Sequence, residues 1–253
     1  MATRNNWSEE ETTIAFFYYC QIPFGKIHQS NPEIKRIADM IGRSKAAVVR
    51  KMANLAHYDP GQRERNVVGL SHTSKLDRII VERYIDDWDR LAVEAKTIEA
   101  AYLGKPIEEL IDTSGEFPEG ADILQIVATR LNQDFFRNAV LSSYRYACCI
   151  TGMTDPELLI ASHIKPWKES EWKTERTNPR NGLCLNALHD KAFDRGLLTV
   201  LPDFTVRVSS KLSGTDEGTM WIRQCDKQSI ILPERFLPCK EFLEYHNDVI
   251  FQP

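Results

Sequence analysis

The sequence predicts an α+β protein. A mainly helical N-terminal domain with a helix-turn-helix-like unit should precede a domain built from strand, loop, strand and helix, with extra short strands. Ser8 followed by Glu11 is the pattern of a capping box, in which two side chains satisfy each other's orphan amides and open a helix. Asn31-Pro32 stands ahead of Ile34, Ile37, Ala38 and Ile41, an apolar stripe at helical spacing behind a cap and a first-turn proline. Further on, Leu158-Leu159-Ile160 and Gly182-Leu183-Cys184-Leu185 are short apolar runs on either side of a polar stretch. Ala187 to Phe193 then has helical composition, and Asp194-Arg195-Gly196 supplies a glycine stop.

In chain order, the first helix runs to about Cys20, and Pro23 and Gly25 mark a loop. Gly42 ends the second helix, and Ser44 caps a third from Lys45 to about Ala56. The spacing of Ala38, Gly42 and Val48 resembles a helix-turn-helix, where small residues let two helices cross closely. Lys45, Arg50, Lys51 and Asn54 then lie on or beside the recognition helix, able to meet phosphates or base edges. His57 to Thr73 reads as a connecting loop. Lys75 to Leu103 reads as one long amphipathic helix with an acidic outer face, a spacer or a dimer surface. Pro106, Gly115, Pro118 and Gly120 break the chain between Lys105 and Asp122, placing a boundary there. The expected domains are 1–60, the helix-turn-helix-like unit; 61–120, linker and acidic helix; and 121–253. A helix from Ala121 to about Tyr144 carries Arg137. Leu197–Leu201 and Thr205–Ser209 predict a hairpin turning at Pro202-Asp203, and Ile230–Leu232 predicts a further strand. Phe236–Phe251 should be partly helical, with His246 structural.

Charge is unevenly distributed. The net value of -4 looks unsuited to a polyanionic partner, yet residues 82–122 hold twelve acidic against four basic residues. Residues 31–56 hold six basic against two acidic, and 158–196 seven against five. Local field rather than net charge governs phosphate binding. No apolar run approaches the roughly 18 residues of a membrane span. The stretch MATRNNWSEEE lacks a secretory core, so a cytoplasmic location is expected. Six cysteines without a CxxC pair argue for reduced thiols and against a structural zinc.

His163, Asn181 and His189 stand out, 18 and then 8 residues apart. Strand, loop, strand and helix would bring the two histidines around one cleft. An imidazole with a pKa of about 6.5 can take a proton from water at cellular pH.

The run Ser162-His163-Ile164-Lys165-Pro166, Asn178-Pro179-Arg180-Asn181-Gly182-Leu183 and Leu188-His189-Asp190-Lys191-Ala192-Phe193-Asp194-Arg195-Gly196 resembles the HNH nucleases, whose core is a ββα grip on one divalent metal. Arg130-Leu131-Asn132-Gln133, Phe136-Arg137 and Cys148-Cys149-Ile150-Thr151-Gly152 resemble the lead-in of restriction-type members, so the likeness covers roughly residues 125–253. The resemblance implies His163 as general base and His189 as metal ligand. Asn181 would be the structural asparagine that pins the loop through backbone hydrogen bonds. Ser162 stands where many members carry an acidic residue or a second histidine as another ligand. The metal would then rest on His189 and waters, with Asp190 or Asp194 assisting. Magnesium, or manganese, suits such a shell because it retains several waters. Arg137, Lys165, Lys168 and Arg180 are expected to hold the scissile strand.

The expectation is a metal-dependent endonuclease acting on double-stranded DNA, of bacterial restriction type. One small metal site suits cutting one strand, so a homodimer is expected for two. A companion methyltransferase would fit such a system. The rival readings are a DNA-binding regulator with an inactive HNH fold and a nuclease toxin of no sequence preference.

Overall fold

The computed structural model describes residues 6–60, 62, 73–111 and 123–253. Most of the loop expected over 57–73, and of the boundary expected over 105–122, lies outside these residues. The chain divides into two compact units, one through Phe135 and one from Phe136.

In the first unit, α1 (Glu9–Gln21) opens with the capping box: Glu11 N–H donates to Ser8 Oγ at 3.1 Å, and Ser8 N–H to the Glu11 carboxylate at 2.8 Å. Every residue of α1 from Glu11 to Cys20 is buried, so this helix is the axis of the unit rather than a surface element. Against it packs α3 (Lys45–Ala56), capped by Ser44, and on α3 packs α2 (Pro32–Met40), capped by Asn31. Ile34, Ile37, Val48, Met52 and Leu55 are wholly removed from solvent.

The expected long helix is two: α4 (Lys75–Tyr84) and α5 (Trp88–Leu103). Asp87 causes the break. Its backbone is non-helical, and its carboxylate accepts from Arg90 N–H at 3.3 Å, so it starts a new helix instead of continuing the old one. The kink places Tyr84 and Trp88 together in the core.

Helix α6 (Ile123–Ser143) ends in the second unit. There, β1 (Leu159–His163) pairs antiparallel with β2 (Gly182–Asn186), from Leu159 opposite Asn186 to His163 opposite Gly182. Helix α7 (Ala187–Asp194) follows directly. Gly196 stops it at φ +65°, where a Cβ would overlap the Ile250 carbonyl, so only glycine lets the chain's closing segment lie this near. The hairpin β3 (Leu198–Val200) and β4 (Val206–Val208) forms where alternation predicted it. Ile230–Leu232 does not form a strand. Its Ile230 and Ile231 amides go instead to the Phe204 and Cys149 carbonyls, leaving one isolated bridge between Thr205 and Ser229. Helices α8 (Glu217–Arg223) and α9 (Lys240–Tyr245) and a π-turn (His246–Ile250) complete the unit. Among the described residues no helix is long and apolar enough to cross a membrane.

Candidate active site

His163 ends β1. Its partner across the strands is Gly182, where a Cβ would overlap Val140 Cγ2 and lie 3.0 Å from the Phe136 ring. The missing side chain lets α6 press against the hairpin, and Phe136 stacks on His163 with centroids 3.9 Å apart. Trp167 meets the imidazole edge-on at 5.5 Å. Nε2 of His163 lies 2.8 Å from the Arg176 carbonyl. A carbonyl only accepts, so Nε2 carries the proton and Nδ1 keeps the lone pair. Burial pushes the ring's pKa below its ordinary value, partly offset by that hydrogen bond, so the neutral, basic form is favoured.

Asn181 is fully buried and holds the loop between β1 and β2. Its Oδ1 accepts from Lys165 N–H at 2.8 Å. Its amide nitrogen donates to the Lys165 and Glu175 carbonyls and to Ser170 Oγ, each at 3.2 Å, and its own carbonyl takes Ile164 N–H at 2.9 Å. One side chain thus closes both ends of the segment that supplies the Arg176 carbonyl.

His189, expected as the metal ligand, is fully buried, and both of its ring nitrogens face protein groups. Nδ1 donates to Asn186 Oδ1 at 3.0 Å, and Nε2 lies 3.5 Å from the Cys225 thiol. Trp221 packs edge-on at 5.2 Å. Burial lowers its pKa. Its surroundings share no ring or hydrogen-bond partner with those of His163 among the described residues. The residue after His189, turned about 100° around α7, is Asp190.

Asp190 is half-buried. Burial and the nearby Asp194 raise its carboxyl pKa, while Ser162 and Lys191 pull it down. The Ser162 hydroxyl is buried near the Asp190 carboxyl, without a hydrogen bond of ordinary geometry to any described residue. Asp190 and Asp194 lie one helical turn apart on α7, and carboxylate oxygens are hard donors of the kind Mg²⁺ or Mn²⁺ take. Among the described residues no group of three or more His, Cys, Asp or Glu side chains is arranged to hold a metal.

The remaining expected residues fall into two groups. Lys165 is committed to Glu175 at 2.6 Å and lies over the Tyr245 ring, and Arg180 Nε donates to the Leu237 carbonyl. Arg137 and Lys168 are exposed. In the first unit Lys45 and Arg50 are exposed and Asn54 is half-buried. Lys51, expected at the nucleic-acid face, turns inward: it is 4% exposed, paired with the wholly buried Asp77, and lies over Trp7. Burial of both charged groups makes that pairing necessary. Phe136, Trp167 and Asn186 belong to the site's surroundings without having been singled out. The signal for Asn186 was present, as an asparagine directly before a helix.

Residues 148–201 match a family model described as HNH endonuclease. The matched segment contains β1, the loop, β2, α7 and β3, and supports nuclease activity at the level of the family. No curated protein matches the chain.

Proposed function

We propose that the second unit hydrolyses phosphodiester bonds of double-stranded DNA with the help of a divalent metal. The observation that carries this reading is the state of His163: Nε2 is fixed on the Arg176 carbonyl, Nδ1 bears the lone pair, and the ring is kept neutral by burial. A positioned imidazole with that protonation is a general base at cellular pH.

Nδ1 of His163 takes the proton of the attacking water. Phe136 and Trp167 hold the ring's plane and limit its hydration, and Asn181 keeps the carbonyl-bearing loop closed over it. Asp190, with Asp194 and Ser162 beside it, would hold the metal, which supplies charge neutralisation on the phosphate and stabilises the leaving oxygen. His189 supports this region from inside the unit. Arg137 and Lys168 are the exposed cations suited to backbone phosphates in this unit. In the first unit the α2–α3 pair acts as the helix-turn-helix-like grip, with Lys45 and Arg50 outward and Asn54 at the edge.

In this reading the protein is of bacterial restriction type. Each chain cuts one strand, and a homodimer is needed for a double break. A companion methyltransferase would protect host DNA. The decisive experiment incubates supercoiled plasmid with Mg²⁺ or Mn²⁺ and the protein or its His163→Ala variant. Nicking or linearisation by the former, slowed about 100- to 10,000-fold in the latter, is expected. Equal rates for the two proteins would refute the assignment of the base, and no cleavage by either would leave a DNA-binding protein.

A further inference from the structure

We propose that Asn186 is a positioning residue, the hub of a knot that has the sequence spacing of a four-ligand metal site and sets where α7 presents Asp190. Four residues meet at its carboxamide, in two pairs with two residues between members: Cys148 with Thr151, and Asn186 with His189. Asn186 Nδ2 donates to Thr151 Oγ1 at 3.1 Å and lies 3.6 Å from Cys148 Sγ. Its Oδ1 accepts from His189 Nδ1 at 3.0 Å, and from the first free amides of α7, Leu188 at 3.1 Å and His189 at 3.0 Å. The spacing is that of zinc sites built from two ligand pairs. The separations from the carboxamide, 3.0–3.6 Å, are shorter than the roughly 3.8 Å between neighbouring sulfurs on a tetrahedral zinc with bonds of about 2.3 Å. Thr151 and Asn186 are residue types that do not ligate zinc, so here the amide's donors and acceptor occupy the centre.

The knot joins the start of β1, the end of β2, the turn at Cys148 and Thr151, and the first turn of α7. Asn186 is the last residue of β2, opposite Leu159 at the start of β1, and it is the cap of α7. Cys148 and Thr151 lie in the turn below it, itself closed by Cys148 N–H on the Met153 carbonyl and Cys149 N–H on the Cys184 carbonyl. Asp190 follows one helical turn later, so the direction of α7 at Asn186 decides where that carboxylate meets Ser162. A displacement of about 1 Å at such a group can cost roughly 100-fold in rate.

The consequence for rate rests on the phosphodiester reading; the geometry of the knot does not, and the two are measured separately. Thr151→Cys/Asn186→Cys gives, with Cys148 and His189, three thiolates and an imidazole. This variant should take up one Zn²⁺ per chain by native mass spectrometry, and lose it when His189→Ala is added. No uptake, or uptake indifferent to His189→Ala, would overturn the convergence of the four corners. In plasmid cleavage with Mg²⁺, Asn186→Ala should fall about 10- to 100-fold in kcat at unchanged DNA affinity. The zinc-loaded double variant should recover to within a few-fold. Asn186→Asp keeps the helix-capping oxygen and loses both amide donors. If Asn186→Ala fails to fold, the same 10- to 100-fold loss in a folded Asn186→Asp sustains the role. Full rate in either folded variant, or a zinc-loaded double variant as slow as Asn186→Ala, would overturn it.

Discussion

His163 and Phe136 lie face to face, with ring centroids 3.9 Å apart and planes 10° from parallel. The contact exists because Gly182 has no side chain to hold α6 away from the hairpin. The phenyl ring withholds water from the imidazole, which disfavours the imidazolium and lowers the pKa. The base form therefore persists to lower pH than in a free histidine. Phe136→Ala should admit water, raise the pKa toward about 6.5 and move the acidic limb of the kcat/KM profile to higher pH. NMR titration of the ring reads the same shift directly. An unmoved midpoint in both measurements would remove the stack from the account of basicity.

Asp190 and Asp194 carry the metal assignment. With Asp190 holding the metal as proposed, Asp190→Asn removes one anionic oxygen donor and should raise the Mn²⁺ concentration needed for half-maximal cleavage by about 10-fold or more. Asp190→Asn/Asp194→Asn should raise it further. If metal titrations of both variants overlay the original curve, the ion is held elsewhere.

Lys51 and its neighbours on α3 should separate cleanly. Lys51→Ala leaves Asp77 buried without its cation and should cost about 3–5 kcal/mol in urea unfolding. Lys45→Ala and Arg50→Ala sit on the surface and should stay within about 0.5 kcal/mol of the parent. Each of the latter, if it meets a phosphate, should flatten the dependence of log Kd on log salt by about one unit. A stable Lys51→Ala protein would contradict the inward pairing.

His246 stands between Thr199 Oγ1 at 2.8 Å and the Phe193 carbonyl at 3.2 Å, stacked on the Phe193 ring. Burial holds its pKa down to about 4. In the unfolded chain it titrates near 6.5, so between these values the unfolded state binds a proton that the native state does not. Its contribution is complete above about pH 6.5 and declines as pH falls toward 4, by roughly 3 kcal/mol in all. The melting temperature should drop through that window, and His246→Asn should show a shallower slope there. Parallel slopes would assign the loss to other groups.

The helices at the front and the strand–loop–strand–helix order at the back were legible because caps and periodicity are local. Ser8, Asn31 and Ser44 each announce a helix by their own chemistry. The break at Asp87 was legible in principle, but the apolar pattern runs on through Tyr84 and Trp88, and the pattern concealed the cap. For the candidate site, His163 and Asn181 could be found from their spacing, while the inward turn of His189 and Lys51 could not. Both depend on which face of a helix meets the core, and a partner distant in sequence decides that: Cys225 for one, Asp77 for the other. Phe136 was visible as apolar, but its place on an imidazole follows from a glycine 46 positions away.

The Asn181 carboxamide has a kinetic corollary. Lys165, Ser170 and Glu175 are all fastened to one amide, so their release is a single event rather than a gradual fraying. Native-state deuterium uptake should show the amide of Lys165 opening together with that of Ile164 as one cooperative unit, with a free energy below that of global unfolding. Substrate could then be admitted beside the imidazole by one local opening, without disturbing the hairpin that holds it.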